Sequence, residues 1–227
     1  MKHASGNLRG HAPRQVLRWP TERSRDWTST FITSARVNRS IEAVVAIGSA
    51  VRPHVPSADL DLLVIQADTA FLRERPPLEI DLRDYSAVDV DAQLASGNDL
   101  LGSGIKFGKA LYQRNHYWDR LVDSWQDRLP LPSSAVARNR AANARRRLAK
   151  VLEFGDADAS QEQAVSYLTH VARAELLDRG VYPASRPELP AQLRAIDSFQ
   201  IAGWLDGLLQ QPVTQIAEIE RLSKIPA

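Results

Sequence analysis

The 227-residue chain predicts an α+β fold: a small mixed β-sheet with flanking helices, followed by an all-α helical bundle. Three observations lead to this prediction. Two short runs rich in aliphatic and β-branched residues, at 41–47 and 59–64, favour strands over helices. A proline-rich segment at 129–132 interrupts the chain, and apolar residues recur at helical spacing after it. We therefore expect a flexible basic arm at 1–20, a sheet-containing domain at 21–130 and a helical domain at 131–227.

In the first domain the elements are predicted in order from apolar spacing and from capping residues. Residues 22–38 carry Trp27, Phe31 and Ile32 at helical spacing, which predicts an amphipathic helix packed behind the sheet. A third strand is expected at 78–83. The remaining predicted elements are a helix at 86–95 with Ser86 near its N-cap, a helix at 99–107 ending at Gly108, a strand at 110–112 and a helix at 117–129.

In the second domain every predicted element is a helix. Ser185 and Glu188 have the spacing of a capping box, with Pro187 inside the first turn, so a helix should begin there. Long apolar periodicities and breaks in them predict helices at 134–154, 160–179, 186–196, 199–210 and 213–223.

Composition sets the class of protein. With 44% hydrophobic and 25% charged residues, the chain has the balance of an ordinary globular protein. It has no cysteine, which excludes disulfides, cysteine-ligated zinc and a cysteine nucleophile. No apolar run approaches the roughly 20 residues that span a bilayer, and the first residues lack the apolar core of a signal peptide. We expect a cytoplasmic protein without a membrane partner.

Charge is unevenly distributed along the chain, although its net value is only +2. Acidic residues outnumber basic ones ten to three between residues 55 and 99, whereas residues 1–25 hold six Lys or Arg and one Glu. An acidic cleft attracts Mg²⁺ and cationic acceptor molecules, while a solvated acidic face would give the same count.

The segment from Ile47 to Val64 carries the strongest functional signal. Gly48 follows the first apolar run, where a residue without Cβ lets the backbone turn sharply, and Ser49 adds a hydroxyl beside backbone N–H groups. This is a candidate phosphate cradle. On the next strand Asp59 and Asp61 point to one side because side chains alternate, about 7 Å apart along the strand. Two carboxylates at this spacing suit Mg²⁺ that arrives with a nucleoside triphosphate.

Gly-Ser, nine residues, then Asp-apolar-Asp-apolar resembles the signature of the DNA polymerase β-like nucleotidyltransferase superfamily, which includes aminoglycoside nucleotidyltransferases, minimal nucleotidyltransferases and tRNA-tailing enzymes. The resemblance implies two Mg²⁺ ions and ATP as donor. It also implies that Ser57 and the loop residue Arg52 help to bind the triphosphate. Pro53 and Pro56 depart from the glycine-rich loops of the family. The resemblance covers residues 41–83 well and the remainder loosely.

The family's third acidic position has two candidates in this chain. Glu79 and Asp81 share a face of the third strand by alternation, together with Arg83. An apolar-Asp-apolar triplet, as in many relatives, favours Asp81 as the third metal ligand after Asp59 and Asp61. A Leu-Glu-apolar stretch, as in adenylyltransferase-like relatives, favours Glu79 as general base. The sequence leaves both open.

Two features of the helical domain could contact phosphate. Arg186 stands at a predicted helix N-terminus, where backbone N–H groups favour an anion, and similar Ser-basic pairs occur in adenylyltransferase-like relatives. A helix without acidic residues between its cations would contact phosphate or RNA, or simply form a solvated basic face. Those cations are Arg138, Arg140, Arg145, Arg146, Arg147 and Lys150.

The predicted function is transfer of AMP from ATP to a hydroxyl acceptor, of the aminoglycoside type in the first reading. Asp59, Asp61, Glu79 and Asp81 would carry the chemistry, and Gly48, Ser49, Arg52, Ser57 and Arg186 would bind the nucleotide. Two alternatives stay open: an acceptor that is a macromolecule, either a partner toxin protein or tRNA, and a non-catalytic nucleotide-binding module.

Overall fold

The structure is a computed structural model that describes residues 13–53, 57–67 and 75–210. It divides into two units, residues 1–130 and 131–227. The described part of the first unit contains the sheet. Its elements are α1 (Glu22–Val37), β1 (Ile41–Ile47), β2 (Leu60–Gln66), β3 (Ile80–Ser86), α2 (Val90–Ala95), α3 (Asp99–Phe107), β4 (Lys109–Gln113) and α4 (Tyr117–Trp125). The described part of the second unit is helical, with α5 (Ser134–Glu153), α6 (Ala157–Asp178), α7 (Leu189–Ala195) and α8 (Phe199–Gln210). The α+β prediction is confirmed.

The sheet is mixed and has four strands in the order β3-β2-β1-β4. The central strand β1 pairs antiparallel with both β2 and β4, whereas β2 and β3 run parallel. The start of β2 therefore lies beside the end of β1 on one side and beside the start of β3 on the other. This topology places the Gly48 turn and the acidic residues of two strands at one edge of the sheet.

Both faces of the sheet are covered, which explains the near-continuous burial of β1 and β2. On one face Leu60, Leu62 and Val64 pack with residues of α1 such as Phe31. On the other face Leu63 and the side chains that alternate with it pack against α2, α3 and α4. Because side chains alternate along a strand, Asp61 lies on the same face as Leu63, near the first residue of β2 and at the edge of this apolar core.

The chain before α1 belongs to the first unit from at least residue 16. The Val16 side chain is buried in the core beneath α1. Backbone N–H groups of Leu17 and Arg18 donate hydrogen bonds to the carbonyl of Ala50, at 2.9 and 3.2 Å. The predicted flexible arm at 1–20 is therefore wrong at residues 16–18, because Val16 is buried in the core and the backbone of the next two residues is hydrogen-bonded, although the Leu17 side chain is exposed. Residues 1–12 of that arm lie outside the described residues.

Two predicted helix ends of this unit are wrong by four residues, and the first is the start of α2. The helix begins at Val90, after Asp89, and not at Ser86, because Ser86 is the last residue of β3 and pairs with Gln66. By contrast, α3 begins and ends where predicted, with the Asn98 side chain accepting a hydrogen bond from the Leu101 N–H. The predicted helix at 117–129 ends four residues early, at Trp125.

The second unit has its own apolar core. The face of α5 formed by Ala141, Ala144 and Leu148 packs with α6, which supplies buried residues such as Leu168 and Leu176. The predicted helix at 186–196 is a short 3₁₀ turn, Arg186–Glu188, followed by α7. The predicted helix at 213–223 lies outside the described residues. None of the helices in the described segments combines the length and apolar character that a membrane crossing requires.

Candidate active site

The turn after β1 is shaped by a glycine that lies directly against Asp61. Gly48 has φ of 74° and ψ of −156°, a conformation that side chains strongly disfavour, and a 3₁₀ turn, Ser49–Val51, follows it. A Cβ at Gly48 would lie 2.5 Å from Oδ2 of Asp61. Ile47 and Asp61 are also paired across β1 and β2. The backbone thus turns around the Asp61 carboxylate at van der Waals distance.

Two serines connect this turn to the start of β2. The Ser49 hydroxyl donates a hydrogen bond to Oγ of Ser57 at 2.9 Å, and the Ser57 hydroxyl donates to the backbone carbonyl of Asp59 at 2.6 Å. Both serines were candidate triphosphate contacts from the sequence, and the structure brings them together across eight positions of the chain. These two hydrogen bonds fix the position of the turn relative to the backbone of Asp59.

A backbone contact from the N-terminal segment, which the sequence does not predict, also holds the turn. The carbonyl of Ala50, the residue after Ser49, accepts the hydrogen bonds from Leu17 and Arg18. The apolar pair of Val16 and Leu17 within a basic stretch was the available signal. The N-terminal segment therefore supports the candidate phosphate-binding turn.

Arg52 lies at the end of the 3₁₀ turn, and its guanidinium carbon lies 5.0 Å from the centroid of the Phe107 ring. This is a cation–π contact with the C-terminal residue of α3. The backbone N–H of Arg52 also donates a hydrogen bond to the backbone carbonyl of Ser49 at 3.0 Å. Arg52 is thus positioned near the turn by a defined packing contact.

The register of β2 and β3 places the third-strand acids beside the first two. Asp61 pairs with Asp81, and the ladder includes a hydrogen bond from the Leu60 N–H to the Glu79 carbonyl at 2.8 Å. Adjacent strands are about 4.8 Å apart, so Asp61 and Asp81 are neighbours on one face. Asp59 and Glu79 stand immediately before their strands at the same end. Four carboxylates therefore come from matching positions of two parallel strands.

Asp81 has a cationic partner on its own strand. The Arg83 guanidinium donates a hydrogen bond to Oδ2 of Asp81 at 2.7 Å, with both side chains about half exposed. The hydrogen bond and charge of Asp81 raise the pKa of Arg83, and the charges of Tyr85 and Asp61 add to the rise. Arg83 therefore lies within electrostatic reach of both paired aspartates. The sequence placed it on this face but did not indicate the ion pair.

The donor set fits a magnesium ion that is shared with a nucleotide. Among the described residues no group of three or more His, Asp or Glu side chains converges closely enough to hold a metal ion alone. Mg²⁺ is usually held by one or two carboxylates together with substrate phosphates and water. Asp61, cradled by Gly48, and its neighbour Asp81 offer the oxygen ligands for such a site, with Asp59 on the same edge.

Arg186, the remaining predicted contact, lies in the second unit. It is exposed and begins the 3₁₀ turn rather than a long helix. The carboxylate of Glu188 accepts hydrogen bonds from the backbone N–H, at 3.3 Å, and the hydroxyl of Ser185. The Glu188 carboxylate therefore already caps this turn, where the sequence predicts a phosphate.

Comparisons with known proteins give few matches. No protein-family model matches the chain, and no curated protein is detectably similar to it. Solved structures that match include a nucleotidyltransferase-like protein from Exiguobacterium sibiricum 255-15. That structure is 15% identical with a TM-score of 0.42, and the match covers 87% of this chain and 70% of the other.

Proposed function

We propose that this protein transfers a nucleoside monophosphate from a nucleoside triphosphate, with ATP as the first candidate, to a hydroxyl group of an acceptor. The observation that carries the proposal is the contact between the Gly48 turn and the Asp61 carboxylate, next to Asp81 in the sheet register. A phosphate-binding turn and paired carboxylates at one sheet edge are the two parts that this chemistry needs.

The carboxylates are proposed to hold divalent metal. Asp59 and Asp61 would supply ligands for Mg²⁺, with Asp81 as the third carboxylate. Bound Mg²⁺ would neutralise the phosphate charge and stabilise both the entering and the leaving oxygen of an in-line displacement. The Gly48 turn keeps Asp61 in place for this role, since its main chain leaves the carboxylate little room on that side.

The remaining groups are proposed to bind and orient the reactants. Ser49 and Ser57, joined by their hydroxyls, would contact the triphosphate. The acceptor oxygen forms a bond to the α-phosphorus, the bond from that phosphorus to the bridging oxygen breaks, and pyrophosphate leaves. Glu79 is the proposed acceptor of the hydroxyl proton, because Asp81 already accepts a hydrogen bond from Arg83.

The acceptor proposed first is a small cationic molecule with a hydroxyl group. The support is the group of four carboxylates, Asp59, Asp61, Glu79 and Asp81, that come from matching positions at one end of β2 and β3, with Arg83 as the neighbouring cation. A negative surface around the site raises the local concentration of such a molecule.

The test is Mg²⁺-dependent transfer of label from α-labelled ATP. The full chain is incubated with labelled ATP, CTP, GTP or UTP and a cell lysate divided into small-molecule, RNA and protein fractions. Asp61→Asn should abolish labelling, because it removes one carboxylate charge and leaves the side-chain volume nearly unchanged. Asp123→Asn is the matched control: Asp123 is exposed on α4 and the substitution makes the same change outside the site.

Label that depends on Asp61 but not on Asp123 would support the proposal, and the labelled fraction would identify the acceptor class. Equal labelling by wild type and Asp61→Asn would refute it. Nucleotide binding without transfer in any fraction, unchanged by Asp61→Asn, would instead favour the non-catalytic module.

A further inference from the structure

The exposed face of α5 carries a basic stripe, defined as Asn143, Arg146, Arg147 and Lys150. These four residues are exposed and line an open concavity of about 400 Å³. Their spacing of three, four and seven residues places them on one side of the helix. The opposite side is the buried row of alanines and leucine that packs with α6. The stripe thus faces away from the core of its unit.

The cations of this stripe lack the partners that other cations of the unit have. Arg138 pairs with Asp178, Arg179 with Glu175 and Arg194 with Asp206. Arg146, Arg147 and Lys150, in contrast, form no ion pair with any residue that the structure describes. Like charges in adjacent turns repel one another and destabilise a helix. An external anion would remove that repulsion.

The groups of the stripe are hydrogen-bond donors. Arg146 donates to Oδ1 of Asn143, so the amide NH₂ of Asn143 is left as a donor. Arginine guanidinium groups match the geometry of phosphate oxygens. The stripe spans about 10 Å along the helix, which is longer than a single phosphate group. This arrangement suits successive phosphates of a polymer.

An exposed aromatic residue continues the same line. Phe154 is 83% exposed and follows Lys150 by four positions, at the end of α5. Proteins that bind single-stranded nucleic acid combine a positive track for the backbone with aromatic side chains on which bases stack. Phosphate contacts alone would leave this ring unused, whereas a single-stranded polymer could stack a base on it.

We propose that the basic stripe and Phe154 bind single-stranded nucleic acid, with phosphates on the cations and a base stacked on the ring. The proposal is independent of nucleotidyl transfer, because binding can be measured without ATP or metal. Its failure would leave the proposed active site untouched.

The experiment measures binding of a fluorescein-labelled mixed-sequence 12-nucleotide RNA to the full chain by anisotropy, at several KCl concentrations. The triple variant Arg146→Gln, Arg147→Gln, Lys150→Gln should weaken binding at least tenfold. The negative slope of log K against log salt should become less steep by about 2, since each phosphate contact contributes roughly −0.7 for single strands. The matched control removes three exposed cations of the first unit, in the variant Arg23→Gln, Arg36→Gln, Arg39→Gln, and should retain binding and slope.

Phe154→Ala separates stacking from charge. It should weaken RNA binding by about fivefold or more with an unchanged salt slope, since stacking on an aromatic ring contributes independently of phosphate contacts. Circular dichroism with thermal melting checks that each variant is folded.

Three results would overturn the proposal. The first is equal RNA binding by wild type and the stripe variant, and the second is an equal loss of binding in the first-unit control. The third is unchanged RNA binding by Phe154→Ala together with displacement of RNA by tripolyphosphate at equal phosphate concentration. Tighter binding to vesicles of anionic lipid than to RNA would also contradict it. Single-stranded DNA of the same sequence tests whether the ribose hydroxyls matter.

Discussion

Gly48→Ala changes a position where the candidate phosphate-binding turn lies directly against a candidate metal ligand, Asp61. The new Cβ would lie 2.5 Å from Oδ2 of Asp61, whereas real Cβ atoms essentially never come within 3.0 Å of such a neighbour. Asp61 or the turn must therefore shift by about 0.5 Å or more, a scale at which the geometry of a catalytic group matters.

The substitution should affect stability and activity by different amounts. Gly48 has φ of 74° and ψ of −156°, a region occupied almost only by glycine, so strain should lower the free energy of unfolding by about 1–3 kcal/mol. Displacement of a reacting group by about 1 Å can reduce turnover on the order of 100-fold, and a shift of half that size should reduce transfer by about tenfold or more.

Urea denaturation followed by circular dichroism measures the first effect, and label transfer from ATP measures the second. Gly180→Ala is the control. Gly180 also has positive φ, at 76°, but a Cβ there would meet nothing within 4 Å. It should cost about 1–2 kcal/mol of stability from backbone strain and leave transfer unchanged.

The reasoning would be refuted if Gly48→Ala retained wild-type transfer, or if it destabilised the protein no more than Gly180→Ala. The stability comparison stands even if no acceptor is found, because it depends on the backbone conformation of Gly48 and on its contact with Asp61, and not on a substrate.

Three further predictions concern the surroundings of the site. Ser57→Ala removes the hydroxyl between Ser49 and Asp59; it should lower the free energy of unfolding by about 1 kcal/mol in urea titrations and raise the KM for ATP. Val16→Ala should cost about 1.5–3 kcal/mol in the same titrations, because Val16 is only 5% exposed; a cost near zero would mean that the segment is not held in the core. Arg83→Met should tighten Mn²⁺ binding, measured by electron paramagnetic resonance without nucleotide, by up to about fivefold, because it frees an oxygen of Asp81; unchanged affinity would argue against Asp81 as a ligand.

Local sequence signals were sufficient for several elements. β1 begins and ends where its β-branched run begins and ends, because the run is buried on both faces and flanked by turns. α3 likewise matches its prediction, since Asn98 and Gly108 mark its two ends. In these segments the local preference and the tertiary environment agree.

Elsewhere the tertiary structure overrode the local signal. Ser86 has the character of an N-cap, yet it continues β3 because pairing with Gln66 satisfies its backbone. Val16 and Leu17 lie in a stretch of basic and glycine residues, yet the buried valine and two hydrogen bonds to Ala50 fix that stretch against the turn. Neither contact can be read from neighbouring residues, because each partner is distant along the chain.

The sequence alone determined that a glycine turn precedes Asp61 and predicted that Asp59 shares its face, because the conformational freedom of glycine and alternation along a strand are local properties. Only the tertiary structure decided that Asp81 lies beside Asp61 and pairs with Arg83, and that the Asp61 carboxylate fills the space left by Gly48. The reason is the register of two parallel strands: a shift by one residue would turn Asp81 to the opposite face, and packing on both faces of the sheet selects the observed register.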